Sequence, residues 1–454
     1  MDLSLTGGWL PIAVEVVAAI VLGVAIGRRS RAWRLKWLPL SVAMGAALAG
    51  GAYWLVGYLA LADDPAPASL WWWIGLTAAA ATVAVTGWHG TRWSRRVTSL
   101  LAIALCASCV ALGLDAWTGY LPTLNSAWDR ATGASLPNQT DEAGAMDLRR
   151  QHVRPTRGVL VSVTIGDDAS GFEHRDELVY LPPAWFTGDS ASDLPAVIMA
   201  GGEFGHPADW PTAGGAQHIA DDFATTHGGN APVLVFADTS GRFSNDTECV
   251  DGVRGNAADH LTKDVVPYVI SHFGVSPAAS HWGIVGWSSG GTCALMTAVM
   301  HPDLFSAFVD VDGGLRPDAG SKQQTVARLF GGDATAFAAF DPAPVMTAHG
   351  PYTGLTGWFA TSTAGPTVYY PATADPPIDP NPDDVDPADH AAVAVFLCSV
   401  ASSSGIPCSV VPVGGGHDFA SAAKVFDTAL PWLAGQLGTP GVPVVALPGG
   451  APPS

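Results

Sequence analysis

The chain has 454 residues, with 40 acidic and 21 basic side chains and a formal net charge of −19. Only 13% of its residues are charged and 48% are hydrophobic, which excludes a disordered chain, because such chains combine low hydrophobicity with high charge. The 52 glycines and 35 prolines follow no G-X-Y period, so a collagen is excluded as well.

The charge is divided unevenly along the chain. Residues 1–120 hold eight basic and five acidic residues, whereas the remainder holds 13 basic and 35 acidic residues. A region that acidic repels phosphate backbones, which argues against nucleic acid as a partner. We therefore expect two regions that face different solvents.

Four apolar stretches lie within residues 1–120, and they span 9–27, 38–62, 69–88 and 98–119. Each is long enough to cross a hydrocarbon core of about 30 Å at about 1.5 Å per residue. The stretches contain no paired charges of the kind that line transport pathways. We interpret residues 1–120 as four transmembrane helices that form an anchor.

The loops between these stretches predict the topology. The first and third connections are basic, GRRSRAWRLKW and HGTRWSRR, whereas the second, ADDPAPAS, has no cation. Basic loops stay in the cytoplasm. We therefore expect a multi-pass protein of the cell membrane whose residues after Tyr120 are extracytoplasmic.

The second region reads as an α/β domain. Residues 121–155 are polar and irregular and are interpreted as a linker, and the runs 158–165 and 177–181 alternate like an antiparallel pair of strands. Further apolar runs then alternate with helix-length segments at 195–200, 231–238, 281–286, 305–311, 357–362 and 408–414. Runs that are apolar on both faces are typical of a mainly parallel sheet with helices on both faces. We place this domain at 156–440 and a Pro/Gly-rich tail at 441–454.

A nucleophile motif follows one of these runs. Gly286-Trp287-Ser288-Ser289-Gly290 matches G-x-S-x-G, with a strand-like run before it and a helix-competent segment after it. This strand–turn–helix context is typical of the sharp turn that exposes a nucleophilic serine in α/β-hydrolases. Ser288 is the predicted nucleophile, and Ser289 is expected to give its backbone N–H to an oxyanion hole.

His417 is the predicted base, because it follows the final strand-like run in VVPVGGGHDF, where α/β-hydrolases carry their histidine. His260 and His390 fit helix or loop positions and are interpreted as background. The second oxyanion donor should follow an early strand, and the glycine pair after PAVIMA favours Gly202.

The sequence does not identify the acid that orients His417. The segment TAGPTVYYPATADPPIDPNPDDVDPADH offers six aspartates: Asp375, Asp379, Asp383, Asp384, Asp386 and Asp389. Counting back from the end of the next helix, near Gly405, the usual spacing favours Asp383, Asp384 or Asp386. Asp312, which follows another strand-like run, is the fallback.

Four cysteines lie in the outer region, and an even number in an oxidising compartment predicts two disulfides. Three pairings are possible, and we favour Cys398 with Cys408 and Cys249 with Cys293. No Cys-x-x-Cys or His-x-x-x-His spacing occurs there, so we expect neither a metal nor a cofactor.

The stretch 245–315 and the later segments LCSVASSSGIPCSVV and GGGHDF resemble an actinobacterial, partly mycobacterial, family of membrane-anchored esterases. That family is related to esterase D type carboxylesterases and to mycobacterial mycolyltransferases. The resemblance covers residues 155–437 and implies an α/β-hydrolase fold with Ser288 and His417 in the active site. It does not locate the acid, and the loop at Gly201–Gly202 lacks the leucine of the mycolyltransferases.

These observations predict a membrane-anchored serine esterase that hydrolyses acyl esters, including lipid esters, through a Ser-His-Asp triad. One alternative is an acyltransferase that acts on lipids or glycans of the cell envelope. The other is an inactive hydrolase-like domain that binds a partner or a lipid.

Overall fold

The computed structural model describes residues 3–27, 30–59, 65–89, 91–187, 194–373 and 381–451. The chain divides into two compact units, Met1–Ala134 and Ser135–Ser454.

The first unit is helical. Its four long helices are α1 (Trp9–Ile26), α2 (Leu38–Leu59), α3 (Ala68–Thr86) and α4 (Trp93–Thr118), and a short helix, α5 (Leu124–Thr132), follows. A π-helical turn over Trp33–Trp37 leads into α2. The four long helices are long and apolar enough to cross a membrane. The fourth begins earlier than its apolar stretch does, because Trp93, Arg95 and Arg96 are compatible with helix and suit the membrane–water interface.

Small residues and one polar contact join the helices of this unit. A Cβ at Gly45 of α2 would lie 2.5 Å from the carbonyl oxygen of Gly75 in α3, so only glycine permits this approach. Close backbone approach through small residues is how membrane helices gain packing contacts. The indole of Trp73 donates a 3.1 Å hydrogen bond to the carboxylate of Glu15, which gives that acid a partner within the helices.

The second unit is built on a ten-stranded, mainly parallel sheet. The strands are β1 (Gln139–Asp141), β2 (Val159–Val163), β3 (Glu177–Leu181), β4 (Ala196–Ala200), β5 (Val233–Ala237), β8 (Trp282–Trp287), β9 (Ala307–Val311), β10 (Thr356–Thr361), β11 (Val368–Tyr370) and β12 (Cys408–Pro412), and a separate hairpin pairs β6 (Asp251–Gly252) with β7 (Gly255–Asn256). The order across the sheet is β1-β2-β3-β5-β4-β8-β9-β10-β12-β11. The central strands β5, β4, β8, β9, β10 and β12 are parallel to one another.

Helices fill the connections between these strands. They are α6 (Glu142–Arg150), α7 (Asp209–Thr212), α8 (Ala216–Thr226), α9 (Ala257–Asp259), α10 (Val266–Phe273), α11 (Ser289–Met300), α12 (Lys322–Phe330), α13 (Ala334–Ala339), α14 (Pro342–His349), α15 (His390–Ser403) and α16 (Phe419–Gln436). A π-helical segment, His260–Val265, joins α9 to α10. All six residues of β8 are buried, as expected for a strand covered on both faces. The expected α/β-hydrolase architecture is confirmed.

The structure shows elements and contacts at both edges of this domain that the sequence did not predict. The stretch 121–155 is not a plain linker, because β1 pairs in parallel with β2 and α6 follows it directly. The tail folds back in part, since Ser409 of β12 donates a hydrogen bond to the carbonyl of Pro448. Both edges consist of short or polar segments whose local sequence looks like a loop, and only pairing with the sheet gives them structure.

The four cysteines of the second unit form two disulfides. Cys249 is bonded to Cys293, and Cys398 is bonded to Cys408, which is the pairing favoured from the sequence. The first bond ties the loop before α9 to α11, and the second ties α15 to β12. Cys106 and Cys109 of α4 are free thiols.

Candidate active site

Ser288 occupies the turn between β8 and α11 in a strained conformation, with φ of 59° and ψ of −128°. A non-glycine residue at positive φ is uncommon and persists only where the surroundings enforce it. The neighbouring glycines make the turn possible. A Cβ at Gly286 would lie 1.7 Å from the carbonyl oxygen of Gly290, and a Cβ at Gly290 would lie 2.4 Å from that of Gly201. The turn has the form that lifts a serine hydroxyl above the sheet.

His417 meets this serine. It lies on the loop between β12 and α16, and its Nε2 is 2.9 Å from the Oγ of Ser288. The next residue, Asp418, caps α16 by accepting a hydrogen bond from the backbone N–H of Ser421. The ring of Trp287 lies 5.2 Å from the His417 ring, between centroids. The imidazole is therefore held against the serine by the capped helix and by a buried aromatic wall.

Asp312 is the carboxylate next to this histidine. Its Oδ2 lies 3.9 Å from the Nδ1 of His417, within ion-pair range but beyond hydrogen-bond length. The other oxygen, Oδ1, accepts 2.8 and 3.3 Å hydrogen bonds from the backbone N–H and hydroxyl of Ser362. Asp312 itself has a φ of 49°. Burial raises its pKa, and the bond from Ser362 and the nearby His417 only partly oppose that rise.

The favoured positions for the acid were wrong. Asp384 and Asp386 are exposed, on the segment that leads to α15, and Asp386 accepts a hydrogen bond from the backbone N–H of Ala388. Asp383 pairs with Arg316 at 2.9 Å, and Asp389 caps α15. The two remaining candidates, Asp375 and Asp379, lie outside the described residues.

The physical reason for this error lies in the sheet. Strands β9 and β10 are adjacent and parallel, so their carboxyl ends reach the same place, about 5 Å apart. Ser362 follows β10, where we expected the acid, and it donates to the acid that follows β9. Sequence spacing cannot distinguish an acid on one strand from an acid on its neighbour.

The expected oxyanion donors lie on either side of the serine. Ser289 is the first residue of α11, so its N–H has no carbonyl partner within the helix. Gly202 follows β4, and a Cβ there would lie 3.2 Å from the Cβ of Ser288 and from the ring of Trp287. A Cβ at this distance would require its neighbours to shift by a few tenths of an ångström, so glycine suits this close approach to Ser288.

Two buried groups beside Ser288 and His417 were not predicted from the sequence. His390, the first residue of α15, stacks on His417 with ring centroids 5.0 Å apart. Asp310 in β9 is fully enclosed, and its Oδ1 accepts a 2.8 Å hydrogen bond from the N–H of Gly313. Burial raises the pKa of Asp310 to about 7. No local sequence signal marks either residue, because the arrangement of the strands and of α15 brings them here.

Two groups of side chains in the described residues have a composition that could hold a metal ion. One is Asp312, His390 and His417, which the arrangement around Ser288 already accounts for. The other is His174, Glu177 and His260. Ser288, His417 and Asp312 present a hydroxyl, an imidazole and a carboxylate in the order required to activate an alcohol for attack on an acyl carbon.

Comparison with known proteins agrees with this geometry. A family model described as "Putative esterase" matches residues 172–318, a range that contains Ser288 and Asp312. An uncharacterized protein of Corynebacterium glutamicum is 33% identical over 368 residues, which cover 77% of this chain and 82% of that protein.

Solved structures with a similar fold include an S-formylglutathione hydrolase from Agrobacterium tumefaciens, with 16% identity and a TM-score of 0.47. That match covers 63% of this chain and 97% of the hydrolase. A ferulic acid esterase matches with 14% identity and a TM-score of 0.45, over 61% of this chain and 98% of the other.

The fold and the family model define a hydrolase of the α/β class. The chain belongs to the esterase family which that model describes, together with the corynebacterial protein.

Proposed function

We propose that the protein is a membrane-anchored serine esterase that cleaves acyl esters, including lipid esters, with Ser288 as its nucleophile. One observation carries the proposal: a strained serine at the end of β8 lies 2.9 Å from the Nε2 of His417. A serine hydroxyl is a weak nucleophile until a base removes its proton. A histidine held at hydrogen-bond distance supplies that base.

The proposed reaction begins when Ser288 Oγ attacks the acyl carbon while its proton passes to Nε2 of His417. Asp312 stabilises the imidazolium that forms and keeps Nδ1 directed toward itself. The N–H groups of Ser289 and Gly202 receive the developing oxyanion. His417 then gives its proton to the leaving alcohol, and the acyl group stays on Ser288 as an ester. Water, activated by the same histidine, releases the acid.

The geometry fits these roles with one adjustment. The 3.9 Å separation of Asp312 Oδ2 and His417 Nδ1 must shorten by about 1 Å for a charge-assisted hydrogen bond. Catalytic hydrogen bonds are often long in free enzymes and tighten when substrate binds. The bonds from Ser362 fix the carboxylate, so the histidine loop, which carries three consecutive glycines, is the part expected to move.

The four long helices of the first unit support a membrane location for this activity. The basic connections around residues 28–36 and 89–96 favour a cytoplasmic side for those loops. The catalytic unit then lies on the extracytoplasmic side of the membrane, where its two disulfides are stable. Membrane attachment would bring the serine to lipid or envelope esters.

A fluorophosphonate probe tests the proposal, because it reacts only with an activated serine. The full-length protein in detergent should be labelled, and Ser288→Ala and His417→Ala should each abolish labelling. Ser280→Ala is a matched control, since Ser280 is also hydrogen-bonded to a histidine, His281 at 3.1 Å, but on the exposed surface.

Unchanged labelling of Ser288→Ala would contradict the proposal by showing that another serine is the nucleophile. No labelling of the folded wild type would contradict it and favour a binding domain. Product analysis with an ester and an added alcohol then separates hydrolysis from acyl transfer. A free acid as the main product supports the esterase, and a new ester as the main product supports the acyltransferase.

A further inference from the structure

A second cluster of ionisable side chains is buried where β3 meets the helical segment after β7. Glu177 in β3 and His260 in the π-helical segment have no exposed surface. The Nε2 of His260 lies 3.1 Å from Oε1 of Glu177, and its Nδ1 lies 3.2 Å from Oδ2 of Asp264. The half-buried ring of His174 stacks on His260 with centroids 4.2 Å apart. One ligand atom each from His174, Glu177 and His260 lie within 4.8 Å of one another.

Both histidines have one ring nitrogen fixed by an oxygen. Nδ1 of His174 lies 2.9 Å from the carbonyl oxygen of Arg175, and Nδ1 of His260 faces the carboxylate of Asp264. A carbonyl can only accept, so His174 must carry its proton on Nδ1, which leaves the lone pair on Nε2. Metal-bound histidines have this pattern: the second nitrogen donates to a carbonyl or a carboxylate, which fixes the tautomer and the ring.

Glu177 supplies an independent observation. Its Oε1 accepts a 2.8 Å hydrogen bond from the N–H of Asp238 and faces His260. Its Oε2 is fully buried and has no hydrogen-bond partner in the part of the chain that the structure describes. A buried carboxylate oxygen without a partner is costly, and such an atom calls for a ligand.

We propose that His174, Glu177 and His260 form a binding site for a divalent cation of the zinc class. Two imidazoles and one carboxylate are a ligand set that Zn²⁺ accepts, with a fourth position open to water. Such an ion carries two positive charges, which balance the carboxylates of Glu177 and Asp264 while both histidines stay neutral. It also gives Oε2 of Glu177 a partner.

A protonated His260 is the alternative occupant of this space. An imidazolium could donate to Glu177 and Asp264 at once, but it would leave one negative charge uncompensated within this cluster. It would also leave Oε2 of Glu177 without a donor. The cation therefore accounts for more of the observed contacts than the proton does.

The site lies behind the loop that carries Gly202. Arg175, next to His174, pairs with Asp238 at 2.6 Å and donates a 2.7 Å hydrogen bond to the carbonyl of Gly205. The cation would thus join three elements: the loop before β3, β3 itself and the π-helical segment after β7. These elements lie beneath the Gly202 loop. We expect its effect to be mainly structural. The site does not rest on the esterase proposal, because none of its ligands contacts Ser288.

Metal titration of the full-length protein tests the site. The protein in detergent is treated with a chelator and titrated at neutral pH with Co²⁺, whose visible absorption reports on its ligands, and then with Zn²⁺ as competitor. We expect one tight equivalent per chain, displacement of Co²⁺ by Zn²⁺, and a higher Tm with Zn²⁺, since a ligand of the native state stabilises it.

Variants locate the binding. His174→Ala should weaken binding at least tenfold and remove the Tm shift, and Glu177→Gln, which keeps the shape of the side chain, should do the same. His218→Ala is the matched control, because His218 also lies beside a carboxylate, Asp222 at 3.1 Å, but both are exposed. It should bind like wild type.

His417→Ala tests the competing cluster at Ser288, and it too should bind like wild type. Three outcomes would overturn the proposal: no stoichiometric uptake by folded wild type, equal binding by His174→Ala and wild type, or loss of binding only in His417→Ala. Because His174 is half-buried and outside the His260 ion pairs, its variant is expected to fold, and circular dichroism checks that it does.

Discussion

The two units of this protein use apolar residues in opposite ways. In α1, Ile20 and Val24 are 61% and 62% exposed, whereas every residue of β4 in the catalytic unit is buried. A surface of exposed aliphatic side chains is unstable in water and suited to lipid. Similar apolar runs therefore suit a membrane or a protein core according to their length, about 20 residues against five.

The two units also differ in how they treat polar groups. The described part of the helical unit shows a side-chain pair between Trp73 and Glu15. The catalytic unit instead buries connected networks, such as Ser288 with His417 and Glu177 with His260. Both environments have a low dielectric, so each polar group needs a partner. The networks of the catalytic unit connect strands to helices and loops, whereas the pair in the helical unit joins two helices.

The largest expected effect concerns the acid. Asp312→Asn should lower kcat/KM for a model ester about 10⁴-fold, because the amide no longer stabilises the imidazolium of His417. Asparagine can still accept the bond from Ser362, so the fold should hold. Asp386→Asn, the matched control on the exposed segment, should stay within about twofold of wild type, since surface substitutions have small effects. Steady-state kinetics measures both variants. A larger loss of kcat/KM in Asp386→Asn than in Asp312→Asn would place the acid in the segment before α15.

The second-largest expected effect compares a disulfide of the catalytic unit with a free cysteine of the helical unit. Replacing both Cys249 and Cys293 by alanine should lower the free energy of unfolding by about 2–5 kcal/mol, because their bond closes a long loop, with a sequence separation of 44. Replacing the free Cys106 by alanine should cost about 1 kcal/mol at most. Thermal unfolding in detergent measures both. Equal losses would mean that the bond adds nothing beyond packing.

A third test uses the buried carboxyl of Asp310. Its pKa is about 7 in the folded protein against 3.8 for an ordinary aspartate, so between these values the folded state binds more protons than the unfolded one. Its stabilising contribution is therefore complete below pH 3.8 and is lost as the pH rises to about 7, by at most about 1.4 kcal/mol per pH unit.

Asp310→Asn cannot lose a proton and should remove this contribution. The difference in unfolding free energy between variant and wild type, measured at several pH values from 4.5 to 7.5, should change in favour of the variant as the pH rises. A difference that does not vary with pH would show that Asp310 titrates normally in the folded state.

The smallest effect belongs to the helical unit. Trp73→Phe removes the hydrogen bond to Glu15 and should change stability by about 0.6 kcal/mol, the average for polar contacts between membrane helices. Trp72→Phe is the control, since Trp72 is 74% exposed. A loss above about 2 kcal/mol in Trp73→Phe alone would mean that the helical unit depends on its polar pair as strongly as the catalytic unit depends on its networks.

Much of the fold was predictable, because long elements carry strong periodic signals. The four apolar helices and the buried strands of the central sheet follow from run length and from burial on both faces. The short edge strands β1 and β11 were not predictable. Each has three residues, and too few side chains are buried to leave a pattern.

The residues of the candidate site likewise divide into those that the sequence predicted and those that only the structure revealed. Sequence determined the positions that a local motif defines: Ser288, because its turn needs glycines on both sides, and His417, because it follows the last strand of the sheet. It also limited the acid to a set of aspartates. Only the tertiary structure placed Asp312 beside His417 and brought His390, Asp310 and the Glu177–His260 pair into place. These groups meet across strands and helices that are far apart in the chain, and the distance between their side chains is set by the packing of the sheet, which no local stretch of sequence records.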